Sequence, residues 1–125
     1  MKRKQREKHP ALPRRLRPRC KIWLELGARP VFGDGKARLL EQIDKCGSLT
    51  AAAGSLGMSY RGLWGRLREM ERRLGLELVA RKAGGRGGGS AELTAQAREL
   101  LGRYRRFRKG INASVDARFE RVFNQ

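Results

Sequence analysis

Histidine occurs once in this chain, at His9, and cysteine twice, at Cys20 and Cys46. These residues have no metal-ligand spacing, so no metal site is expected. Two isolated cysteines make no disulfide framework either; they read as small apolar residues in a reducing cytosol. Parts for catalysis are equally scarce. No carboxylates cluster and no nucleophile stands beside a base, so a non-enzyme without a cofactor is expected. Aromatic residues make up 6% of the chain, too few for the stacking platform of a single-stranded RNA reader. No apolar run approaches the ~20 residues of a membrane span. The basic N-terminus has no apolar stretch behind it, so neither a membrane partner nor a secretory signal is expected.

Positive charge, by contrast, is in excess. Thirty Lys and Arg face twelve Asp and Glu, for a formal net charge of +18 on 125 residues. Such a chain repels itself unless it meets a polyanion. An anionic membrane surface would serve, but the charges fall on helix and hairpin patterns, which favours nucleic acid. Residues 1–18 carry eight of the cations against one acid, Glu7, and three of the four prolines. That composition predicts a basic disordered tail, either simply solvated or reaching for DNA as an arm.

Residues 20–27 alternate as a strand, with Ile22, Leu24 and Leu26 on one face, until Pro30 and Gly33-Asp34-Gly35 break the chain. A helix is expected over about 35–46, stopped by Gly47. A second runs over about 48–56, capped by Ser48 or Thr50, and a third over about 59–75, capped by Ser59. In the third, Leu63, Leu67, Met70 and Leu74 form one buried stripe. Leu78–Lys82 and Ala91–Leu93 read as two strands around a glycine-rich turn at 84–89. Thr94 caps a last helix, which Gly110 could divide.

Two short helices around Gly57 meet the needs of a helix-turn-helix: a small residue, Ala53, at the crossing and a turn residue tolerant of positive φ. With Leu63 and Leu67 facing inward, Ser59, Tyr60, Arg61, Gly62, Gly65 and Arg66 are the candidate groove-facing set. Arg61 and Arg66 can fork onto guanine acceptors or pair with phosphates. Glycines in mid-helix suit either close DNA approach or tight helix packing. Trp64 is read as structural. Arg68, Arg72 and Arg73 form a solvated face or touch phosphates, with Glu69–Arg73 as the attractive pair. Arg81 and Lys82 sit at the hairpin base for phosphate contact, and Arg86 at its tip suits a minor groove.

On the last helix, Leu100, Tyr104, Phe107 and Ile111, followed by Phe119 and Val122, form a coiled-coil-like seam and predict a homodimer. The competing arrangement folds this helix back onto Trp23 and Leu39 of its own domain.

Two stretches, Gly47–Arg61 and Gly84–Ala91 with Leu93-Thr94, resemble the N-terminal DNA-binding domain of the ModE-type molybdate-responsive transcription regulators. The alanine run with Leu74-Gly75, Leu78 and Arg81 more weakly resembles the LysR-type winged helix. Together the similarity spans about residues 20–108. It implies a prokaryotic, cytoplasmic, nucleoid-associated regulator that binds DNA as a homodimer, with Ser59, Tyr60 and Arg61 in the recognition helix and Arg86 in the wing. ModE-type proteins also carry a C-terminal oxyanion-binding module. Here the chain reaches Gln125 still in helical pattern, so no molybdate binding is expected of it.

The expected fold is mainly α with small β, a winged helix-turn-helix with a long C-terminal dimerisation helix. It divides as tail 1–18, DNA-binding domain 19–94 and dimerisation helix 95–125. The expected function is sequence-specific binding of double-stranded DNA in transcriptional control, without an oxyanion-sensing domain. A nucleoid-type architectural protein with little sequence preference is the alternative.

Overall fold

Hydroxyl and glycine residues set the ends of the helices. In the computed structural model, which describes residues 11–82 and 89–124, α1 spans Asp34–Cys46, α2 Leu49–Leu56 and α3 Tyr60–Leu74. The long α4 spans Ala95–Phe123. The Ser48 hydroxyl accepts from the Ala51 N–H at 3.0 Å, Ser59 from Gly62 at 2.9 Å and Thr94 from Ala97 at 3.1 Å. Each such cap contributes about 1 kcal/mol. Gly57 closes α2 at φ 67°, a left-handed conformation costly for a residue with a Cβ. Its turn sends the chain through Met58 and Ser59 into α3.

The core lies where α1, α2 and α3 meet. Leu40, Ile43, Ala52, Leu63, Leu67 and Met70 are buried there. Ala53, also buried, presents only a methyl at the crossing, so α2 can approach closely. The predicted stripe on α3 is present, with Leu74 half-buried at its end.

The wing is the antiparallel pair β3 (Val79–Lys82) and β4 (Ser90–Leu93), in register from Val79 opposite Leu93 to Lys82 opposite Ser90. Val79, Ala91 and Leu93 turn into the core. Backbone bonds fasten the wing to the helices: Ala91 N–H to the Gly47 carbonyl and Thr94 N–H to the Leu78 carbonyl, both at 2.9 Å. The Glu71 carboxylate on α3 accepts from the Leu78 N–H at 2.8 Å.

The structure adds a second hairpin where the sequence predicts a lone strand. β1 (Trp23–Leu26) pairs antiparallel with β2 (Arg29–Gly33) through a turn with Gly27 at φ 57° and Ala28 at φ 68°. Pro30, expected to break the chain, sits within β2, where a two-stranded edge tolerates a missing N–H. The register shifts between Leu24 and Glu25. This bulge re-aims the strand, so Leu26 is exposed while Ile22 and Leu24 stay half-buried.

The last helix is the single long helix expected, but its first turns pack differently from the expected seam. α4 runs unbroken through Gly110. Its first turns belong to the core, where Ala97, Leu101 and Tyr104 are buried. Tyr104, expected in a dimer seam, is instead 4% exposed and packed edge-on against Phe32 at 5.1 Å. Leu100 packs partly against the same core. Of the remaining seam residues, Phe107 and Val122 are exposed (47% and 58%), and Ile111 and Phe119 are half-buried. Residues 11–19 form no helix or strand. Arg14–Arg19 border a cleft shared with Asp116, Phe119 and Glu120 of α4.

Candidate nucleic-acid interface

α3 presents its outer face between two basic clefts. On one side lies the wing. Tyr60, Arg81 and Lys82 line a cleft with Thr50 and Ser90. The Arg81 guanidinium stacks over the Trp64 ring at 4.4 Å and donates from Nη2 to the Tyr60 hydroxyl at 3.0 Å. Arg68 lies over the same ring at 5.5 Å. Trp64 is therefore structural in a specific sense: it seats the wing's arginine against the helix.

The other side is a groove of about 730 Å³ between α3, the β1–β2 hairpin and the start of α1. Arg61, Gly62, Gly65 and Arg66 line it from α3, facing Lys21, Trp23, Pro30 and Lys36. The predicted set thus divides across α3, with Tyr60 beside Arg81 and Lys82 and the other four facing the hairpin. Ser59 remains at the helix start as its cap. Arg86 and the hairpin tip at 84–88, like residues 1–10 of the tail, lie outside the described residues.

The two mid-helix glycines are present for different reasons. A Cβ on Gly62 would come 3.1 Å from the Ser59 Oγ, so glycine there protects the cap. A Cβ on Gly65 would meet nothing within 4 Å, so no helix packing requires glycine at that position.

The acids bordering the groove are already engaged. Glu69 pairs with Arg72 and with Arg73, the latter at 2.6 Å, and Arg73 also donates to the Pro30 carbonyl at 3.1 Å. Asp34 takes two bonds from Arg108, at 2.9 and 2.8 Å, and one from the Tyr104 hydroxyl at 2.5 Å. The Arg108 bonds hold the Asp34 carboxyl below its usual range, against the opposing effect of burial. Burial first, then the bond to Asp34, pushes Tyr104 up to about 12. The Tyr104 hydroxyl also lies 3.3 Å from the Ile22 carbonyl, and Arg108 donates to the carbonyl of Cys20. These contacts fix the base of the hairpin to α4. Lys21, Lys36, Arg61 and Arg66 keep their charge free of ion pairs among the described residues.

Sequence reasoning missed Lys21, Lys36, Thr50 and Ser90. One signal was available. Neither α2 nor α3 has an acid in its first turn, whereas α1 has Asp34 there beside Lys36. Helix N-termini favour acids, so the starts of α2 and α3 are left open to an anion. Among the described residues no helix is long and apolar enough to cross a membrane.

Relatives share this frame. ModE of Azotobacter vinelandii, called a molybdenum transport protein, is 32% identical over 103 residues, 82% of this chain and 38% of that protein. The DNA-binding transcriptional dual regulator ModE of Escherichia coli K12 is 38% identical over 66 residues, 53% of this chain and 25% of that one. The chain thus spans between 25% and 38% of the length of these curated relatives. Among solved structures, the DNA-binding domain of CbnR in complex with DNA shares the fold, with a TM-score of 0.51 at 24% identity, covering 66% of this chain and 90% of that one. Residues 35–98, from the first turn of α1 through the wing to the first turn of α4, match the bacterial regulatory helix-turn-helix proteins of the lysR family, and the chain belongs to that family.

Proposed function

We propose that this chain is a transcription regulator that reads duplex DNA by base sequence as a homodimer. The observation that carries the reading is the position of α3. Its outer face stands between two clefts lined by cations whose neighbouring acids are already engaged. In the major groove, Arg61 and Arg66 would reach guanine O6 and N7, and Ser59 and Tyr60 would meet the backbone at the helix start. Arg81 and Lys82 would hold phosphates from the wing, and Arg86 would enter the minor groove. The activity is binding, without a catalytic step. The names of the relatives, a DNA-binding transcriptional regulator and a domain solved with DNA, support this assignment.

The dimer would form along the exposed side of α4, through Phe107, Ile111, Phe119 and Val122. Two copies of α3 would then lie about one DNA turn, roughly 34 Å, or a multiple of it apart. Such a regulator works on the chromosome, in the cytoplasm of a prokaryote. The charge of +18 favours the second reading, an architectural protein with little sequence preference. Selection of bound sites from a random duplex pool separates the two. An enriched two-fold site is expected, and a flat pool would leave only the architectural reading.

A further inference from the structure

The β1–β2 hairpin precedes the segment that matches the lysR family, yet it forms one wall of the groove of about 730 Å³ beside α3. We propose that this hairpin and the first turn of α1 act as a second phosphate-binding edge. It grips the DNA strand on the side of α3 opposite the wing. The inference rests on the reading of α3 as a duplex-binding helix and adds a contact to it.

The argument is one of dimensions and charge. An α-helix with its side chains is about 10–12 Å across, and the major groove is about 12 Å wide. A helix seated there has a sugar-phosphate strand on each flank. On one flank of α3 stand Arg81 and Lys82. On the other stand Lys21 and Lys36, unpaired among the described residues, with Arg66 on the helix itself. The groove acids cannot neutralise them, because Asp34 is held by Arg108 and Tyr104 and Glu69 by Arg72 and Arg73. The rest of the wall is apolar: Ile22, Trp23, Pro30 and Phe32. Deoxyribose presents an apolar face and phosphate a charged one, so a DNA strand matches both parts of this lining. The hairpin is also held in place for the task. Its base is fixed to α4 through the carbonyls of Cys20 and Ile22, and Arg73 of α3 holds the carbonyl of Pro30.

The test is the double variant Lys21→Gln/Lys36→Gln in the full chain, titrated with a selected duplex over a range of salt concentrations. Each phosphate contact adds about 0.9 to the log–log salt slope, so the slope should fall by about 1.8. Affinity near 0.1 M salt should drop roughly tenfold to hundredfold by the same relation. The preference for selected over scrambled duplex should persist, and thermal melting should be unchanged. Hydroxyl-radical footprinting should show strand protection on the hairpin flank that disappears in the variant. An unchanged slope and footprint, with the wild type binding normally, would overturn the second edge and leave the α3 reading intact. Failure of the wild type to bind any duplex would instead remove the reading beneath it. Anilinonaphthalene sulfonate that binds in the groove of the wild type, with the duplex slope unaltered in the variant, would assign the groove to a small aromatic anion and also overturn the proposal.

Discussion

Gly65→Ala should make the protein more stable and a poorer binder of DNA. Gly65 lies in the interior of α3, exposed, and a Cβ built there meets no atom within 4 Å. The methyl therefore costs nothing in packing, and the helix gains the full propensity difference of about 1 kcal/mol. For a chain of this size that corresponds to a rise in melting temperature of roughly 3–5 °C. The same methyl stands on the face of α3 that, in the proposed complex, lies against DNA. Inserting a methyl into a close-packed contact typically costs about 1–3 kcal/mol, or roughly fivefold to a hundredfold in affinity. Differential scanning fluorimetry and fluorescence anisotropy with a labelled duplex read the two effects separately. A variant that is stabilised and binds as tightly as wild type would show that nothing approaches α3 at Gly65. A variant that melts lower would refute the open-space reading of the position.

Arg61→Ala should lower the affinity ratio between a selected site and scrambled DNA more than Lys82→Ala does, since a bidentate base contact contributes about 1–3 kcal/mol of discrimination; an equal ratio in both variants would remove Arg61 from base readout. Trp64→Leu takes away the ring on which Arg81 rests, so duplex affinity should fall several-fold, matching the ~1 kcal/mol of an exposed cation–π contact, with far-UV circular dichroism unchanged. Phe107→Glu puts a charge on the exposed strip of α4 and should give a monomer in sedimentation at tens of micromolar; a persisting dimer would place the interface elsewhere. Tyr104→Phe deletes a hydroxyl that donates to a carboxylate and should cost about 1.5–3 kcal/mol. The Tyr104 phenol ionises near 12 in the fold against 10.0 for a free one. Its contribution is therefore complete below the lower value and is lost as pH rises through the upper one. An alkaline melting series should show that loss in the wild type and not in the variant.

What the sequence made legible was local chemistry. Ser48, Ser59 and Thr94 cap because each hydroxyl needs only an N–H three residues on, and Leu63, Leu67 and Met70 declare a buried face by their spacing. The hairpin was hidden because Gly27-Ala28 carries no Asn-Gly or Asp-Gly signature, while Pro30 reads as a breaker. Tyr104 lies in the core and not on the expected seam, because periodicity identifies a face of α4 without saying what covers it. Its partners, Asp34 and Ile22, lie far away along the chain. The stacking of Arg81 on Trp64, and the meeting of Lys21 and Lys36 with Arg66, likewise depend on tertiary folding. Individual residues gave their type and charge but not their neighbours.

The continuity of α4 has a mechanical consequence. The helix is anchored by Tyr104 and Arg108, and Gly110 follows just past the anchor with open space around it. Beyond it, residues 111–123 continue for roughly 20 Å at the helical rise. An unbroken helix transmits force along its length, and a glycine is where it yields to bending. A flexure of roughly 20° at that point, the scale of a mild kink, swings the far end by about 7 Å. In the proposed pair, joined through the outer parts of α4, that motion would change the separation of the two copies of α3 without disturbing either core. The stiff rod with one compliant joint would let a single protein accept half-sites whose spacing varies.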